Sequence, residues 1–71
     1  MNIHEVFEYA QDSKKGEVRF KPKHLSSEFR DMTFEVLDAH FGFATYEGSN
    51  GFVNKQQFSQ IYGESMEYEI V

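Results

Sequence analysis

The sequence predicts a small α+β domain in which a sheet of short strands is packed by amphipathic helices. Apolar residues recur at helical spacing over 2–12, 26–41 and 54–62, and these stretches interleave with period-two segments over 17–21, 43–54 and 65–71. The chain is also rich in rings, with 8 Phe and 4 Tyr among 71 residues, and has no Cys and no Trp. Below roughly 70–80 residues one core supplies only about 3–5 kcal/mol of net stability. With no disulfide to help, the rings must fill that core, since each buries a large apolar area at modest entropy cost. A homodimer is the other route to stability. The expected order is α-β-α-β-β-α-β in one domain over residues 1–71, with the sheet packed by the central helix 26–41.

Each element has its own local reason. Over 2–12, Ile3, Val6, Phe7 and Ala10 share one helical face, and Asn2 with Glu5 makes a capping pair. Over 17–21, Val18 and Phe20 alternate with Arg19 and Lys21, until Pro22 stops the strand or places it at an edge. Over 26–41, Ser26 or Ser27 caps a helix whose Phe29, Met32, Phe34, Val36, Leu37 and Phe41 form one wide apolar arc, with Gly42 as its left-handed stop. His40 falls on that arc as a buried or half-buried histidine with one hydrogen-bond partner. Over 43–54, Phe43 to Tyr46 and Phe52-Val53 flank Asn50-Gly51, a tight-turn dipeptide, and read as a hairpin. Asn54 and Gln57 then open a short helix to Tyr62, ended by Gly63. Met66, Tyr68 and Ile70 alternate against Glu67 and Glu69 in a last strand. The expected core is Phe20, Phe29, Phe34, Val36, Leu37, Phe41, Phe52 and Phe58.

Composition removes several functional classes. Without Cys there is no thiolate nucleophile and no cysteine zinc site. The longest apolar run is two residues, so no helix spans a membrane, and no basic region precedes an apolar one as in a secretory signal. A soluble cytoplasmic protein is expected. Serines are accounted for as caps and turn residues, and no Gly-x-Ser-x-Gly elbow is present. Gly48-Ser49-Asn50-Gly51 lacks the lysine of a phosphate-binding loop. His4 and Glu8 stand four apart on a helix, but no third ligand follows at metal spacing; His24 reads as a loop residue. The chain is therefore expected to be no enzyme and to carry no cofactor or metal.

The segment from Leu37 to Tyr62 resembles an EF-hand: a helix, a loop with Asn50-Gly51, Val53, then Phe58 in a second helix. With Gly51 at the loop glycine, the ligand positions fall on Tyr46, Gly48, Asn50 and Gln57. Calcium needs several carboxylates or carbonyls and a bidentate Glu closing the loop. Only an Asn and a Gln stand there, so the resemblance implies at most an interaction module without calcium, and the residues favour a hairpin followed by a capped helix.

Charge is the more informative signal. The net charge is −5, distributed as −3 over residues 1–13, +4 over 14–30 and −6 over 31–71. Lys14, Lys15, Arg19, Lys21 and Lys23 form a basic patch able to meet nucleic-acid phosphates. The plainer reading is an edge strand blunted by charge, and the acidic whole would repel nucleic acid. Glu28, Asp31, Glu35 and Asp38 recur at helical spacing as a carboxylate ridge, joined by Glu67 and Glu69 near the C-terminus. Such a surface fits a basic groove on a larger protein, including a groove that otherwise takes nucleic acid.

In size and composition the chain resembles small acidic phage-encoded inhibitors of the anti-CRISPR and anti-restriction type, some of which mimic DNA. That resemblance implies stoichiometric binding to a larger host protein in the host cytoplasm, without catalysis. A nucleic-acid-associated module using the 14–30 segment is the alternative.

Overall fold

The computed structural model describes residues 1–13, 17–23, 33–46 and 51–71. Its elements are α1 (Ile3–Asp12), β1 (Arg19–Pro22), β2 (Phe34–Asp38), β3 (Phe43–Tyr46), β4 (Val53–Asn54), α2 (Lys55–Tyr62) and β5 (Tyr68–Ile70). The strands form one antiparallel sheet in the order β4-β3-β2-β1-β5. The α+β class therefore holds. The radius of gyration, 11.0 Å, matches the roughly 11 Å of a single packed domain of this length.

Both helices begin where the sequence signals them. In α1, Asn2 Oδ1 accepts the Glu5 N–H and Glu5 Oε1 accepts the Asn2 N–H, each at 2.9 Å. In α2, Asn54 and Gln57 exchange the same pair of bonds at 2.8 and 3.0 Å. Each capping box satisfies donors that a helix start leaves orphaned. Gly63 ends α2 at φ +93°.

The expected helix over 26–41 is corrected. Residues 34–38 are strand β2, paired with β1 on one side and β3 on the other. Residues 39–42 form the turn into β3; residues 26–32 of that expectation, with Phe29, lie outside the described residues. Phe34, Glu35 and Val36 also alternate with period two, and aromatic and β-branched side chains suit a pleated surface. Apolar spacing over so short a stretch fits a helix and a strand alike, and pairing with two neighbouring strands decides between them. The turn is held by Asp38, whose carbonyl accepts the Gly42 N–H at 2.8 Å and whose Oδ1 accepts the Phe41 N–H at 3.0 Å. Gly42 has φ +79°, a conformation open to glycine. His40 sits in this turn, exposed, and not on a buried helical face.

Both helices pack on one face of the sheet. Ile3, Val6 and Phe7 of α1 and Phe58 of α2 close on Phe20, Phe34, Ala44 and Tyr68 of the strands. Phe20 lies at the centre, with ring centroids 5.6–6.2 Å from those of Phe7, Phe34, Phe58 and Tyr68. Phe20, Phe34 and Phe58 are core residues as expected, and Val36 packs against the core half-buried. Leu37, Phe41 and Phe52 are not: they are 56, 68 and 63% exposed. The expected edge position of β1 is also corrected, because β5 flanks it on the side away from β2. Pro22 fits there as the strand's last residue. The edge of β5 away from β1 is met by Met1, which accepts the Tyr68 N–H at 2.6 Å and donates its ammonium to the Tyr68 carbonyl at 3.0 Å.

Candidate interaction surface

The sheet has a second face, and the register states which side chains occupy it. Phe20, Phe34, Val36, Ala44 and Tyr68 point to the helices, so their strand neighbours point the other way. Arg19, Lys21, Glu35, Thr45, Phe43 and Glu69 are exposed or half-buried there. The described helices both lie on the opposite face.

The outer face divides into two halves. Over β1 and β5 it is charged in both signs: Lys21 Nζ lies 3.3 Å from Glu69 Oε1, and Arg19 stands opposite Glu35 in the ladder. Over β3, β4 and the end of β2 it is apolar. There Leu37, Asp38, Phe43 and Phe52 line an open notch of about 170 Å³. The Phe43 and Phe52 rings meet edge to face with centroids 5.2 Å apart. A register shift between Val36 and Asp38 builds this half. Such a bulge adds one residue to a strand and re-aims its side chains, placing Leu37 and Asp38 together beside Phe43.

The expected site residues are distributed differently from the sequence reading. Glu28 and Asp31 lie outside the described residues, as do Lys14 and Lys15. Glu35 and Asp38 do not share a helical ridge, because both lie in β2. Glu35 faces outward opposite Thr45, and Asp38 spends one oxygen on the turn. Glu69 is paired with Lys21, and Glu67 Oε2 lies 3.6 Å from the Met1 ammonium. Arg19 and Lys21 share the outer face, and Lys23 follows β1 with its N–H donating to the Glu67 carbonyl at 2.9 Å. The basic strand is thus bordered by acidic partners on both sides.

Leu37, Phe43 and Phe52 were missed as surface residues, although a signal for them exists. Successive strand residues face opposite sides, so the adjacent apolar pairs Val36-Leu37 and Phe52-Val53 must each place one member outward.

A second, polar cleft of about 260 Å³ is lined by Asn2, Ile3, His4, Ser59 and Glu64. Ser59 Oγ donates to the Lys55 carbonyl at 3.5 Å. Among the described residues no hydrogen bond or ion pair joins His4 to Ser59 or Glu64, and no three His, Asp or Glu side chains converge as a metal site. Gln57 and Asn54, where the EF-hand alignment and its flank fall, are committed to capping α2. The segment pairs as a hairpin, Ala44 opposite Val53 and Phe43 opposite Asn54; residues 47–50 lie outside the described residues. Among the described residues no helix is long and apolar enough to cross a membrane.

Two tyrosines are electrostatically perturbed. Burial, then the nearby Tyr62, pushes the Tyr68 hydroxyl up to about 12, and burial, then Tyr46, raises that of Tyr62. The Tyr68 hydroxyl is fully enclosed and has no hydrogen-bond partner among the described residues.

No protein-family model matches the chain, and neither a curated protein nor a solved structure matches it.

Proposed function

We infer that the chain acts by stoichiometric, non-enzymatic binding to a larger protein, and that it binds through the outer face of its sheet. The observation that carries this reading is the apolar half of that face, where Leu37 is 56% and Phe52 63% exposed around the half-buried Phe43. A small domain that leaves such side chains together in water, beside a flank of charges, has the anatomy of an interface: an apolar centre and a polar rim. The net charge of −5 favours a partner with a basic surface, such as a protein whose groove takes nucleic acid. Inhibition of such a host protein, in the manner of a phage-encoded antagonist, is the form of this reading that size and composition support. The 14–30 segment is the weaker candidate, because Lys21 is neutralised by Glu69 and the whole molecule opposes phosphate.

The test is affinity capture from host lysate with the wild-type chain and a Leu37→Ser/Phe52→Ser variant as paired baits. One species in stoichiometric yield on wild type, and absent from the variant, is expected. Capture that ignores the two substitutions, or capture of nucleic acid alone, would overturn the reading.

A further inference from the structure

We propose that the notch between Leu37, Asp38, Phe43 and Phe52 seats a single large apolar side chain of the partner, flanked by a Lys or Arg that pairs with Asp38. This deepens the protein-binding reading and rests on it.

Size argues for one side chain. The notch is about 170 Å³; pockets for drug-sized molecules run to about 300–1,000 Å³, whereas about 150 Å³ already holds a benzene ring. Of the described residues lining it, three of four are apolar, so an aliphatic or aromatic anchor is the matching occupant.

Charge argues for the flanking base. Asp38 is the one ionisable residue among the described residues of the lining. Its Oδ1 accepts the Phe41 N–H at 3.0 Å, which fixes the carboxylate and leaves Oδ2 for a partner. Among the described residues Asp38 makes no ion pair. The stem of Lys55 runs past Gly42, where its Cδ would lie 3.0 Å from a Cβ at that position.

A second copy of the chain fits less well. Five strands at about 4.8 Å spacing, together 18 residues at about 3.3 Å each, give a face of about 300 Å² in projection, against about 800 Å² per partner in a stable interface. Each copy would also bring a charge of −5. A larger basic protein meets neither obstacle, since it can reach past the rim of the sheet.

The experiment is an NMR titration of the ¹⁵N-labelled chain with three blocked pentapeptides: lysine–serine–leucine–serine–lysine, the same with glutamate for lysine, and the same with serine for leucine. The first peptide should shift the Leu37, Asp38, Phe43 and Phe52 amides, and the two controls should not. Asp38→Asn retains an oxygen to accept the Phe41 N–H while losing the charge. It should weaken the first peptide by about two- to fivefold, the scale of one part-exposed ion pair, with the rest of the spectrum unchanged. Four results would overturn the proposal: no shifts with any peptide, equal shifts with the serine control, indifference to Asp38→Asn, or sedimentation showing a dimer that Phe52→Ser dissolves. The two readings fail separately. A bait that captures its partner through Leu37 and Phe52, with a notch blind to the peptide, removes the anchor alone. A notch that takes the peptide, with no partner captured, removes the protein-binding reading and with it the partner as the source of the side chain.

Discussion

Single side chains in this domain differ widely in what they carry. Phe20 is fully buried and touches four other rings. Phe20→Ala should cost about 3–5 kcal/mol, as much as a core of this size supplies, and circular dichroism should find the variant unfolded. Leu37 had the same expected role in the sequence but stands 56% exposed. Leu37→Ala should stay within about 0.5 kcal/mol of wild type in urea denaturation. A second contrast lies at Tyr68. Its enclosed hydroxyl has lost water without gaining a described partner, a cost of about 1–3 kcal/mol for such a group, so Tyr68→Phe should raise the urea midpoint. The same hydroxyl titrates near 12 when folded, against its ordinary value of 10.0. The folded state therefore holds this proton more tightly than the unfolded one. Stability from this site is complete below about pH 10 and is lost as pH rises from 10 toward 12. Urea midpoints across that range should fall in wild type and fall less in Tyr68→Phe; a variant that loses stability at neutral pH would show that the hydroxyl is bonded.

Elements whose signals are local were legible in the sequence. Both capping boxes, the stop at Gly63, the alternation of β1 and β5, and the pairing of β3 with β4 all rest on residues within a few positions of one another. The misreading of 34–41 arose where local signals conflict. Val36, Leu37 and Phe41 fit a helical arc, Phe34 and Val36 fit a pleat, and only pairing with β1 and β3 decides. Four acids at helical spacing looked like a ridge because twelve acids in 71 residues produce such spacings by chance. Gly42 was read as a helix stop; it is left-handed, as expected, but in a strand-to-strand turn. Gly42→Ala should cost about 1–2 kcal/mol from backbone strain alone, since the Lys55 stem beside it is flexible and can move aside. A thermal melt equal to wild type would show that the turn relaxes.

For the molecule as a whole, the uneven charge along the chain is real in sequence, and on β1 acids face it in space. Lys21 meets Glu69, and Arg19 lies opposite Glu35. Gel shifts with single- and double-stranded DNA and RNA at low salt should therefore show no sub-micromolar complex, because the net charge of −5 is felt out to a Debye length of about 10 Å at 0.1 M salt. A tight complex abolished by Lys21→Glu and Lys23→Glu would instead make β1 the binding element. The candidate surface was less legible than the fold. Charge can be counted along a sequence, whereas the gathering of Leu37, Phe43 and Phe52 depends on a one-residue bulge and a shared face.

The order β4-β3-β2-β1-β5 also sets a clock. Tyr68, one of the buried core residues, follows Phe20 by about 50 residues, yet the two rings lie 5.7 Å apart. A ribosome adding about 5–20 residues per second separates their synthesis by about 2–10 s. Throughout that interval Phe7 and Phe20, joined by Phe34 after its first 14 residues, exist without the strand that completes their core. The nascent chain is thus a client for any factor that shelters apolar segments, and it becomes independent of that shelter only when its last strand has been made.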